Sequence, residues 1–167
     1  MTTKKITTTA IFIALTAFFT IAVKIPVSPA MGYVNLGDFV ILLSTVAFGP
    51  IIGMICGAVG SSLADLFLGY AAFAPFTFVV KGVMGLAMGV FLKKFTNKTQ
   101  STVLTAGVIC ELVMVVGYFF TSVILYGNKT AFATIIPNGV QALVNFIIFA
   151  LIWKRFVKIT ESMLKNS

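Results

Sequence analysis

Histidine is absent from this chain, and acidic residues are few: Asp38, Asp65, Glu111 and Glu161. With no imidazole and two scattered cysteines, Cys56 and Cys110, the usual ligands of a zinc site are missing, and no metal or other cofactor is expected. Both cysteines fall inside apolar runs, where packed thiols are expected rather than the loop disulfides of an oxidised domain. A proton relay normally needs a series of carboxylates or histidines, which this composition does not supply. There is no glycine-rich phosphate loop, so nucleotide hydrolysis is not expected, and the chain is not expected to be an enzyme. Charge of either sign makes up 10% of 167 residues, against 59% hydrophobic residues and a mean hydropathy of +1.09. With that balance over this length, neither a soluble globular domain nor an attached one is expected.

Apolar length is what the chain has. Runs of 18 or more such residues recur, and each reads as a membrane helix. The expected helices cover about 6–23, 36–48, 51–68, 75–92 and 102–125, with a sixth that starts between Thr130 and Pro137 and ends near Lys158. Lys24, Pro26 and Pro29 close the first, and 25–35 is expected to be a loop. Gly49-Pro50 turns the chain after the second, which is short for a span. Although Lys4 and Lys5 precede the first run like a signal peptide, no small-residue cleavage site ends it, so it reads as retained. The expectation is one all-α membrane domain over 1–167 with six transmembrane helices.

The net charge of +8 sits at helix ends, not on a nucleic-acid-reading module, so no nucleic acid partner is expected. With six spans, Lys4, Lys5, Lys93, Lys94, Lys98, Lys154, Arg155, Lys158 and Lys165 share one side, and Lys24 and Lys129 the other. The positive-inside rule then makes both termini cytoplasmic. Five spans would scatter the cations over both faces.

Lys81 and Glu111 lie inside apolar runs on adjacent spans. A charge at such depth costs roughly 2.5 to 3.5 kcal/mol on insertion scales, so it faces protein, a partner charge or a ligand. Counted at about 1.5 Å per residue, the two differ in depth by a few ångström, and a direct or ligand-bridged pair is open. Lys81 shares its face with Met84 and Met88, and Glu111 with Met114, Tyr118 and Ser122. Asn138, Gln141 and Asn145 share a face of the last helix, where three amides on lipid would be costly. These stripes are either glue between helices or the lining of a polar site. The candidate binding residues are Asn35, Lys81, Met84, Glu111, Tyr118, Asn138, Gln141 and Asn145. Near the start of the second helix, Asn35 or Asp38 can cap the helix, or the preceding loop can lid a site with Asn35. Asp65 is either buried or interfacial. Small-residue stripes (Gly53, Gly57, Gly60 and Ala64; Gly82, Gly85 and Gly89) suit close packing within the bundle. Ala10 and Ala14, on a first helix flanked by lysines, can serve another subunit.

Ala10-x-x-x-Ala14, Asn35-Leu-Gly-Asp38 with Phe48-Gly-Pro50, and Phe76-x-x-x-x-Lys81-Gly82 together resemble the substrate-binding S components of energy-coupling factor (ECF) vitamin transporters. The resemblance extends over nearly the whole chain. It implies a vitamin or precursor bound at the external side among helices 4, 5 and 6, under the loops after helices 1 and 3. It also implies docking through Ala10 and Ala14 onto a transmembrane coupling subunit that works with two ATPase subunits. The texture is closest to members for vitamin B6 or hydroxymethylpyrimidine, with riboflavin-type members also similar. A self-sufficient secondary transporter of a small polar solute is the competing reading. An intramembrane enzyme would need a nucleophile with a base, or paired carboxylates, and no motif supports one.

Overall fold

The computed structural model describes residues 3–28 and 32–165. Helix α1 (Thr3–Ala22) leads into an antiparallel hairpin, β1 (Lys24–Ser28) and β2 (Gly32–Asn35). Then come α2 (Asp38–Phe48), α3 (Pro50–Phe67), α4 (Ala74–Lys93), α5 (Gln100–Tyr126) and α6 (Asn128–Lys165). Five of these helices, all but α2, are long and apolar enough to cross a membrane.

Local chemistry sets the boundaries. Gly49, at φ 92°, breaks the chain between α2 and α3, and Pro50 opens α3, where its missing N–H costs nothing. Thr99 caps α5 by accepting a bond from the Thr102 N–H at 3.2 Å. Gly127, at φ 83°, ends it. Two expectations change. The described residues of 25–35 form a ribbon in place of the expected loop: Lys24 pairs with Asn35 and Pro26 with Tyr33, with the register shifting between Pro26 and Ser28. In a two-stranded ribbon both strands are edges, so Pro26 is tolerated. Pro29 lies outside the described residues. The last helix begins at Asn128, ahead of Pro137, which sits inside it. In an apolar setting neighbouring helices accommodate such a proline.

Helix α2 is the centre of the fold. At about 1.5 Å per residue its 11 residues reach only about 16 Å, half a bilayer core. Its side chains from Asp38 to Val46 are all buried. Around it pack Met84, Met88 and Leu92 of α4, Val103, Cys110 and Met114 of α5, and Phe149 and Trp153 of α6. Helix α3 contains a π-helical turn over Cys56–Gly60. The glycines of α3 and α4 let the two backbones touch. A β-carbon on Gly85 would fall 2.5 Å from the Gly53 carbonyl, and one on Gly57 would fall 2.4 Å from that of Lys81. The outward faces are apolar, with Phe67, Ile136 and Leu151 among the most exposed, as expected of helices bathed in lipid.

The two ends of the bundle differ. At one, the start of α1 meets Phe48 and the Phe156–Thr160 stretch of α6. At the other, the hairpin meets the ends of α3 to α6 that carry Asp65, Thr77, Ser122 and Asn138.

Candidate functional site

A buried polar cluster ties the hairpin to α2, α4 and α6. Asp38, the first residue of α2, is fully buried, and its Oδ1 accepts from the Lys81 ammonium. Its Oδ2 accepts from Gln141 Nε2 at 2.7 Å. The Gln141 Oε1 accepts from the Asn35 backbone N–H at 2.9 Å and from Asn35 Nδ2 at 3.2 Å. Asn145 completes the cluster: its Nδ2 donates to the Asn35 and Gln141 carbonyls, both at 2.9 Å, and its Oδ1 accepts from the Phe39 N–H at 3.0 Å. At the start of α2 the Phe39 N–H is thus met from α6, the Val40 and Ile41 N–H groups reach the Gly37 carbonyl, and the Gly37 N–H is met by an Asx turn, in which Asn35 Oδ1 accepts it at 2.8 Å. Asp38 caps nothing. Its carboxylate is spent on Lys81 and Gln141, which removes the cost of leaving either charge unpaired in an apolar interior.

Directly above lies a small cavity. Asn35, Lys81, Tyr118, Asn138 and Gln141 line it, joined by Thr20, Ser61, Asp65, Thr77 and Ser122. Gly32 and Tyr33 of the hairpin, and Tyr70 and Phe73 between α3 and α4, complete its lining. Tyr33 donates its hydroxyl to Asp65 Oδ1 at 2.6 Å, latching β2 onto α3. Burial first, and the adjacent Asp65 charge second, push the Tyr33 phenol far above its usual range, so it remains a donor. The Thr77 and Tyr118 hydroxyls bond each other at 3.0 Å, and the Lys81 ammonium lies 5.3 Å from the Tyr118 ring centre. Aromatic contacts run across the top: Tyr33 to Tyr70, Tyr70 to Phe73 and Phe73 to Tyr126. The free space is about 30 Å³, room for a water or two.

The residues picked out in the sequence divide into two groups. Asn35, Lys81, Tyr118, Asn138 and Gln141 meet at the cavity. Met84, Glu111 and Asn145 do not line it. Met84 packs in the core, where its carbonyl accepts from Cys110 Sγ at 3.3 Å. Asn145 holds backbone one layer below. Glu111 is buried with neither oxygen partnered among the described residues. Lys81 pairs with Asp38, not with Glu111, because α2 begins deep in the bundle and delivers its first side chain to the depth of Lys81. Tyr33, Ser61, Thr77 and Tyr70 are lining residues that the sequence did not single out. Only the i, i+4 spacing of Ser61 and Asp65 on one face of α3 signalled any of them. Ala10 and Ala14 are exposed on α1. Among the described residues there is no group of three or more metal-ligating side chains.

The sequence is similar to those of known proteins. A sequence model described as "ECF-type riboflavin transporter, S component" matches residues 1–158. A protein of Pyrococcus woesei, described only as an uncharacterized protein in a gap 3'region, is 42% identical over 129 residues, covering 77% of this chain and 85% of that one. The thiamine precursor transporter HmpT of Lactococcus lactis subsp. cremoris is 30% identical over 146 residues, covering 87% of this chain and 82% of its own length.

Proposed function

The chain belongs to the S components of ECF-type transporters, and on that premise we propose that it is the high-affinity substrate-binding subunit of an ATP-driven uptake system for a pyrimidine-type vitamin precursor. As an S component it is a membrane protein of vitamin uptake, and its family works by transport and not by catalysis. In the reading put forward here it is a multi-pass protein of the cell membrane. Helix α2 is counted as the sixth, short crossing, and both termini lie in the cytoplasm. The charge distribution supports that orientation, since nine cations lie toward one end and Lys24 and Lys129 toward the other. The cavity under the hairpin then faces outward.

The observation that carries the substrate reading is the cavity itself: small, rich in hydroxyl and amide groups, and bordered by Tyr33, Tyr70, Phe73 and Tyr118. Aromatic walls with a few placed polar groups suit one small heteroaromatic ring, for which the hairpin must move outward to make room. A tricyclic flavin would need the hairpin and the Tyr70–Phe73 segment displaced much further. The relative named a thiamine precursor transporter supports the same choice. Riboflavin stays as the second reading because the matching family description names it, and pyridoxine as a third of similar size. The coupling subunit and two ATPase subunits are the partners proposed, with α1 as the docking helix.

The test is direct. The purified protein is denatured and the released small molecule identified by mass spectrometry. The emptied protein is then titrated calorimetrically with an aminopyrimidine carrying a hydroxymethyl group, with pyridoxine and with riboflavin. Release and tight binding of the pyrimidine are expected. Tight binding of riboflavin alone would replace this reading with the flavin one.

A further inference from the structure

Most polar groups around the cavity are already engaged. Lys81 neutralises Asp38, the Thr77 and Tyr118 hydroxyls bond each other, and the Tyr33 hydroxyl is spent on Asp65 Oδ1. Two of the lining atoms are fully buried and still lack a partner. Asp65 Oδ2 and Ser61 Oγ have no hydrogen-bond partner among the described residues, although Asp65 is only 3% exposed and Ser61 2%. They stand one turn apart on α3, immediately after its π-helical turn, and both residues line the cavity. The Thr77 hydroxyl borders the same carboxylate and also bonds the Tyr118 hydroxyl, so it does not fill Oδ2 in the observed geometry.

A buried carboxylate oxygen without a donor is costly, and more so with its nearest cation engaged elsewhere. Such an atom persists where something else satisfies it part of the time. A carboxylate is an acceptor, and the bond it lacks is from an N–H or O–H. The Tyr33 hydroxyl fixes the orientation of the group by holding Oδ1, so Oδ2 is presented in a defined direction.

We propose that Asp65, assisted by Ser61, is the residue that sets ligand specificity, by accepting an N–H from an exocyclic amine on the ligand ring. This rests on the reading above that the cavity is the precursor site. An amine placed there makes a charge-assisted bond. A ring carbonyl in its place sets two acceptors face to face. Sites built around a particular hydrogen bond reject analogues that cannot make it far more strongly than apolar pockets reject a missing methylene.

The experiment compares two ligands that differ at one position: the amino-hydroxymethylpyrimidine, and its analogue with carbonyl oxygen replacing the amine. Both are titrated into the full chain, unmodified and as Asp65→Asn and Ser61→Ala. The unmodified protein is expected to favour the amino compound at least tenfold. Asp65→Asn, whose amide can donate to a carbonyl, should abolish or reverse that preference, and Ser61→Ala should weaken the amino compound by a smaller factor. Equal affinity for the two pyrimidines in the unmodified protein overturns the inference and leaves the precursor reading standing. A preference unchanged in Asp65→Asn overturns it too. If neither pyrimidine binds and riboflavin does, the precursor reading falls and this inference with it. Should Asp65→Asn fail to fold, the unmodified comparison and Ser61→Ala still decide.

Discussion

A lysine inside a membrane run is visible in sequence because nothing else there carries charge. What it pairs with is not. Depth arithmetic along two neighbouring helices leaves open a direct or ligand-bridged pair of Lys81 with Glu111. The partner is instead Asp38, supplied by a short helix whose start is buried, and whose start depth no hydropathy pattern encodes. The same limit hid Asp65, which spacing left as either interfacial or buried. It became a candidate only once Tyr33 was found on one oxygen and nothing on the other. The Lys81–Asp38 pair makes a testable statement about stability. Removing one member leaves an uncompensated buried charge, which typically costs roughly 3 to 5 kcal/mol, whereas removing both is often near neutral. Lys81→Met is therefore expected to lower the thermal midpoint in detergent sharply, and Asp38→Asn with Lys81→Met to recover most of the loss. Additive destabilisation in this double-mutant cycle would mean that the pair is not coupled.

At the scale of elements, the long helices were legible and the hairpin was not. Apolar runs of bilayer length have few alternatives, so α1, α3, α4 and α5 fall where the sequence puts them, within a few residues. The hairpin strands are four and five residues long, and one carries Pro26. Short strands with proline read as loop, and the ribbon depends on contacts distant in sequence: Asn35 with Gln141 and Asn145, and Tyr33 with Asp65. These contacts give the two ends of β2 different roles. The Asn35 end is fixed to α6 by several bonds. The Tyr33 end is held to α3 by one hydroxyl and by ring contacts. Tyr33→Phe keeps the rings and removes the latch. A hydrogen bond to a charged group is worth about 1.5 to 3 kcal/mol. Ligand dissociation measured by dilution is expected to quicken about tenfold or more, and the melting temperature to fall as well, because buried Asp65 loses its donor. An unaltered off-rate would show that the latch does not hold the ligand in.

For the whole molecule, the question is how binding at one end becomes transport. The cavity end and the cation-rich end are separated by the core around α2, where no described cavity connects them. Ala10 and Ala14 lie on α1 among exposed Ile6, Ile11 and Phe18, an apolar face with small residues where another helix can approach closely. Ala14→Trp should then abolish assembly with the coupling module, read by co-purification, and leave ligand affinity intact. Loss of both would place that face inside the fold. Energy input follows the same logic. Release into the cytoplasm requires a second state with lower affinity and something to drive the shift toward it. The sequence has no phosphate loop and no histidine, and under the proposed S-component role the energy input comes from the ATPase subunits. Reconstituted alone in liposomes, it is expected to bind roughly stoichiometric ligand, with a signal that does not grow with time or with an imposed pH or sodium gradient. Accumulation should appear when the coupling and ATPase subunits are added with ATP. Gradient-driven accumulation by the pure chain would instead make it a secondary transporter, and the cavity under the hairpin would then be one half of an alternating-access cycle completed without partners.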